Sequence, residues 1–174
     1  MYFSGLTIAM KKLAFVLSIL LLACSSQKSG NAAINGTHTI ESDCPPEGNC
    51  SFEVLKNKSL LIKTDSFNRT YYEFQDAPGK MVLVYAYNKI KNPAYQDDFY
   101  SEEIVFETNN DLSNLKDGGE HDLFFSVKCF CRGKAGTYRL VAGTASIKNN
   151  RLHIKLPENI IDNQLIKDVV VSFK

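Results

Sequence analysis

The sequence predicts an all-β fold, an antiparallel β-sandwich of immunoglobulin-like or Greek-key type, and three observations carry that expectation. From Ser51 onward, segments of four to eleven residues rich in β-branched and aromatic side chains follow one another. Clusters of Gly, Asn and Pro separate them, which is turn chemistry: Gly and Asn accept positive φ, and Pro presets φ. No long stretch repeats its apolar residues at a helical period, so strands are expected to pair with strands. Sheet packed on sheet is the simplest way to bury many half-apolar strands, with a closed small β-barrel as the alternative.

In chain order the expected strands are "FEVL", "LLIK", "TYYEF", "MVLVYAY", "EEIVFET", "DLFFSVKCF", "TYRLVAGTASI", "RLHIKL" and "DVVVSF". The intervening turns are Lys56-Asn57-Lys58, Pro78-Gly79, Asp117-Gly118-Gly119, Arg132 to Gly136, and Asn149-Asn150. "MVLVYAY" is apolar on both faces, as expected of a central strand covered on both sides. Asn149-Asn150 reads as a two-residue hairpin loop that sets Lys148 opposite Arg151, Ile147 opposite Leu152, Ser146 opposite His153 and Ala145 opposite Ile154. A one-residue slip would turn this apolar set into water, so the register is expected to be firm. Helical structure is expected in two places at most: a turn at "DLSNLK" with Asp111 as its cap, and "ENIIDNQLI" after Pro157.

The chain has 174 residues, one domain's worth, with 22% charged and 44% hydrophobic residues, a globular composition. Its 20 basic and 19 acidic residues leave it nearly neutral. Removing a leader that holds Lys11 and Lys12 would make that 18 against 19. Such a balance lacks the basic footprint of phosphate binding, so no nucleic acid is expected as a partner.

Lys11 and Lys12 precede an apolar run from Leu13 to Ala23 interrupted only by Ser18, about half of the ~20 residues a spanning helix needs. This is the pattern of a secretory signal, and "MKKLAF" from Met10 is a more conventional start than Met1. The run ends in Leu21-Leu22-Ala23-Cys24, which resembles the lipobox of bacterial lipoproteins. The resemblance covers only about the first 25 residues. It implies that Cys24 carries a diacylglyceryl group, that residues 1–23 are removed, and that the new amino terminus is acylated with a chain such as palmitate. Two or more acyl chains hold a soluble domain on a bilayer where a single one binds marginally. Ser25, in place of the Asp that retains such proteins at the inner membrane, permits the outer membrane. Residues 24–43, poor in large apolar side chains, read as a flexible tether, and 44–174 as a single folded domain.

Four cysteines remain: Cys44, Cys50, Cys129 and Cys131. An even number in an exported chain favours disulfides. On a continuous strand Cys129 and Cys131 would lie about 6.5–7 Å apart at Cα, at or beyond the bridging limit. That disfavours their pairing, and with it Cys44 to Cys50. Two long-range bridges are the expectation, each worth on the order of 4 kcal/mol.

The loop "NKIKNPAYQDDFYSEE" is longer than a hairpin needs and sets Tyr95, Phe99 and Tyr100 beside Asp97 and Asp98. Exposed aromatics with carboxylates can bind a glycan, a peptide or a cation. The acidic pair lacks the spaced oxygen ligands of a calcium loop. His38, His121 and His153 are scattered, and no nucleophile motif accompanies them, so catalysis is not expected. The resulting expectation is a monomeric, lipid-anchored envelope protein without cofactor or metal, binding a protein or glycan or serving a structural task. The alternatives are a thiol-based metal-binding or redox protein acting through Cys129 and Cys131, and an envelope enzyme or enzyme inhibitor acting through the aromatic loop.

Overall fold

The computed structural model describes residues 37–116, 118 and 121–174. The leader, the lipobox, Cys24 and most of the tether lie outside the described residues. Within them, no helix is long and apolar enough to cross a membrane.

The domain is an antiparallel sandwich of two sheets. One holds β2 (Gly48–Thr64), β3 (Thr70–Lys89), β4 (Tyr100–Asn109), β5 (Leu123–Cys129) and β6 (Gly136–Leu140) in that spatial order. The other holds β1 (His38–Ile40), β9 (Asp168–Phe173), β8 (Arg151–Lys155) and β7 (Thr144–Lys148). Neither sheet closes into a barrel. Consecutive strands lie side by side as meanders, and β1 closes beside β9, so the connection differs from the Greek-key crossing anticipated. The tether reading is corrected over its last residues: His38–Ile40 is an edge strand, with Ile40 opposite Val171 and His38 opposite Phe173. Its signal, three residues between polar neighbours, was too short to register as a strand.

Alternation builds the core. Met81, Leu83, Tyr85 and Tyr87 of β3, Ile104 and Phe106 of β4, and Leu123, Phe125 and Val127 of β5 face inward and are buried. They meet Leu152, Ile154, Val169 and Val171 of the opposite sheet. Phe52 bridges the two layers at one edge, its ring edge-on to both His38 and Phe173. The β7–β8 hairpin has the expected register, and Asn149 and Asn150 both take left-handed φ (51° and 59°), the mirror-image turn that suits strand twist.

Two expected turns are bulges within longer strands. At Asn57 (φ 55°) and Gly79 (φ 86°) the β2–β3 pairing shifts register between Lys56 and Lys58 but does not end. Beyond the bulge, residues 58–76 form a two-stranded ribbon that folds back over the outer face of the larger sheet. There the Leu60 amide donates to Glu107 (3.2 Å), the Tyr72 hydroxyl donates to Glu103, and the Tyr72 ring lies against Phe124. The double cover expected for "MVLVYAY" is therefore supplied on one face by the second sheet and on the other by the ribbon. Val82, Val105 and Phe124 are buried on that outer face.

Of the two helical expectations, one forms. Ser113–Leu115 is a 3-10 turn capped by Leu112 in left-handed φ (56°), not by Asp111 as expected, although the Asp111 carboxylate accepts a hydrogen bond from the Ser113 amide (3.0 Å). "ENIIDNQLI" is not a helix. Asn159 and Asn163 hold left-handed φ (62° and 60°), and the Gln164 amide donates to the carbonyls of Pro157 and Ile166 while accepting from the Ile160 amide. A side chain that takes up the backbone groups a helix would use favours an irregular loop.

Candidate functional site

One row of the larger sheet's inner face organises its end. Cys50 of β2, Tyr87 of β3, Glu102 of β4 and Val127 of β5 stand opposite one another, and one step further out come Gly48, Lys89, Tyr100 and Cys129. Above this row opens a cleft of about 630 Å3. Tyr87 and Tyr100 line it from the sheet, and Asp97 to Phe99 from the aromatic loop. Cys129 to Cys131 form another wall, and Asp162, Asn163 and Leu165 complete the rim. The two segments singled out in the sequence, the aromatic–acidic loop and the "CFC" turn, thus meet at one place.

Local chemistry shapes each wall. Cys44 and Cys50 are bonded (Cα–Cα 5.7 Å) and hold Pro46 and Glu47 at the rim. Gly48 is required beside them, because a Cβ there would fall 2.0 Å from the Tyr87 ring, whose hydroxyl donates to the Pro46 carbonyl (3.0 Å). Cys129 and Cys131 are bonded to each other. The expectation of two long-range bridges is therefore corrected. β5 ends at Cys129 and the chain bends at Phe130, which brings the two Cα atoms to 5.2 Å, within bridging range. With all four sulfurs paired, the thiolates that a metal-binding reading needs are consumed. Among the described residues, no three His, Cys, Asp or Glu side chains gather to hold a metal ion.

The aromatic loop is closed by Asp98. One carboxylate oxygen accepts from Lys89 (2.7 Å) and the other from the Asn92 amide (2.9 Å). Those contacts, the Lys89 bond first, hold its carboxyl below the usual aspartate range. Asp98 is thus a clasp, while Asp97 is exposed at the rim. Phe99 is half-buried, edge-on to Phe130 with centroids 5.2 Å apart. Phe130 itself is 75% exposed. Tyr95 does not join this cleft; it lines a neighbouring depression with Glu47, Ile90 and Lys91.

Glu102 went unremarked in the sequence and is the cleft's hidden support. It is fully buried, on the core face of β4 in phase with Ile104 and Phe106. It accepts the Tyr100 hydroxyl (2.5 Å) and the backbone amides of Leu165 and Ile166 (2.9 and 2.7 Å). Burial first, and then the bond to Glu102, raise the Tyr100 hydroxyl well above the ordinary phenol range, so it remains a donor. The alternation Tyr100-Glu102-Ile104-Phe106 was the signal: it puts a carboxylate on the apolar face of a strand. On the far side, Lys134 donates to the Asp162 carbonyl (2.9 Å) and accepts the Tyr138 hydroxyl at its own carbonyl, tying the "CFC" turn to the 157–167 loop.

The histidines lie elsewhere. His38 packs on Phe52, His153 contacts Asp168 (2.8 Å), and neither they nor His121 line the cleft. Fold and site together describe a two-sheet β-sandwich with a cleft at one end, walled by aromatic rings and carboxylates. Compared with known proteins, the chain matches no family model, no curated protein and no solved structure.

Proposed function

We propose that the chain is a cell-envelope lipoprotein, held on a membrane by acyl chains on Cys24, whose sandwich is a non-catalytic binding module for a protein or glycan. Ser25 favours the outer membrane. The observation that carries the binding half is the convergence of the aromatic–acidic loop and the cystine turn on one cleft braced from below by Glu102. Such a wall of aromatic and polar groups on a stiff scaffold suits recognition. The anchor half rests on the lipobox and the positive, short apolar leader.

Cells making the full chain and fed a clickable palmitate analogue test both halves. The wild type should be labelled and sediment with membranes, while Cys24→Ala should be unlabelled and released; equal labelling or equal solubility of the two refutes the anchor. In the same cells a photoreactive phenylalanine analogue placed at residue 130 should give envelope adducts that the same probe at residue 67, exposed on the ribbon, does not give. Equal adducts at both positions, or none at 130, refute the cleft as the binding site.

A second reading, thiol–disulfide exchange, is favoured by one placement: the Cys129–Cys131 pair is half-exposed on the cleft wall, open to a partner's thiolate. It requires this bridge to open before Cys44–Cys50 under graded reduction, read by mass spectrometry of alkylated peptides.

A further inference from the structure

We infer that the cleft receives a basic side chain, an arginine or lysine on an exposed segment of a protein partner. This rests on the binding-module reading above and names the chemistry of its ligand. Four carboxylates, Glu47, Asp97, Asp98 and Asp162, line the cleft against two ammonium groups, Lys89 and Lys134; with Lys91, which lies over the Phe99 ring, one negative charge remains in excess. The lysines are already engaged: Lys89 with Asp98, and Lys134 with the Asp162 carbonyl. Asp97 and Asp162 are exposed, and among the described residues only their backbone carbonyls, not their carboxylates, accept hydrogen bonds. A carboxylate at the mouth of a cleft that makes no ion pair of its own is a place for a cation from outside.

The rings favour the same ligand. Lys91 lies 5.8 Å from the centre of the Phe99 ring, so an amine already settles on one aromatic face of this loop. Phe130, three-quarters exposed at the rim, presents a second ring with no cation over it among the described residues. A guanidinium or ammonium resting on Phe130 with its charge toward Asp97 or Asp162 would gain cation–π and charge contacts together, while its alkyl stem covers Leu165 and the cystine. A neutral sugar could stack on Phe130 but would leave the excess charge unanswered.

The test measures binding of a dye-labelled hexa-arginine peptide to the full chain in an uncharged detergent by fluorescence anisotropy, with uncharged hexaserine and chitohexaose as competitors. Hexa-arginine should bind, weaken with salt, and be displaced by neither competitor. Asp97→Asn and Asp162→Asn should each weaken binding about two- to five-fold, as expected for partly exposed charge pairs, and together about ten-fold. Phe130→Ser should weaken it about three-fold through loss of the ring contact. Glu53→Gln, on the outer face away from the cleft, should change nothing. If Glu53→Gln matches the cleft variants, or those variants have no effect, attraction is diffuse and the inference fails. If chitohexaose displaces the peptide or binds better, the cleft is a glycan site: the inference falls and the binding-module reading survives. If no probe binds, the inference falls, and the photoreactive probe at residue 130 separately decides whether the cleft binds anything.

Discussion

Glu102 decides how firmly the cleft is built. Its two oxygens satisfy a tyrosine hydroxyl and two backbone amides where water does not reach. Glu102→Ala would orphan those donors, and buried donors left unpaired cost about 1–3 kcal/mol each, so a loss of about 3 kcal/mol or more is expected in urea unfolding. Glu102→Gln, which keeps one acceptor, should cost less than the alanine. Equal, sub-kilocalorie effects would show that the carboxylate bears no load. Asp98 offers a pH test. Because its folded carboxyl is lowered by Lys89 and then by the Asn92 amide, its contribution is present above the unfolded value of about 3.9 and lost as pH falls through the folded value. The loop clasp should therefore hold in mild acid and open only in stronger acid. Carbon-13 titration of Asp98 should give a midpoint below about 3.9, and Lys89→Met should raise it. A wild-type midpoint above that of a free aspartate would contradict the clasp.

At the scale of elements, the bridges and the bulges carry the lesson. Both cystines are local, spanning 6 and 2 positions in sequence. Short loops remove little entropy from the unfolded chain, about 2 kcal/mol for Cys44–Cys50 by the chain-entropy model, compared with the ~4 of a long-range bridge. The reduced domain should accordingly stay folded, with its urea midpoint lowered modestly. Unfolding on reduction alone would argue for pairings across the domain, and a peptide containing Cys44 linked to one containing Cys129 would demonstrate them. The expected pairing failed because strand geometry was extended through Cys131, whereas β5 stops at Cys129. Similarly, Asn57 and Pro78-Gly79 carry turn chemistry, yet the strands resume pairing beyond them, and a bulge and a turn use the same residues.

For the whole molecule, the β2–β3 ribbon is what makes the larger sheet a buried layer. Its contact is concentrated at Tyr72, which joins Glu103 and Phe124. Tyr72→Ala should cost about 2 kcal/mol, less than a fully buried aromatic, and should speed hydrogen exchange in residues 58–76 while β4 and β5 stay protected. It should also raise binding of an apolar dye as Val105 and Phe124 lose cover. Uniform exchange across the domain would mean that ribbon and sandwich open as one unit.

The sequence by itself determined what depends on neighbours along the chain: strand periodicity, the Asn149-Asn150 register, the turn at Ser113–Leu115, and the composition of the aromatic loop, since alternation and turn chemistry act over a few residues. Only the tertiary structure decided what depends on distant segments meeting. It folded the ribbon onto Phe124 and brought Glu102 under the 157–167 loop. That last contact joins residues more than sixty positions apart. Its energy comes from burial and satisfied hydrogen bonds, and neither exists until the two sheets close.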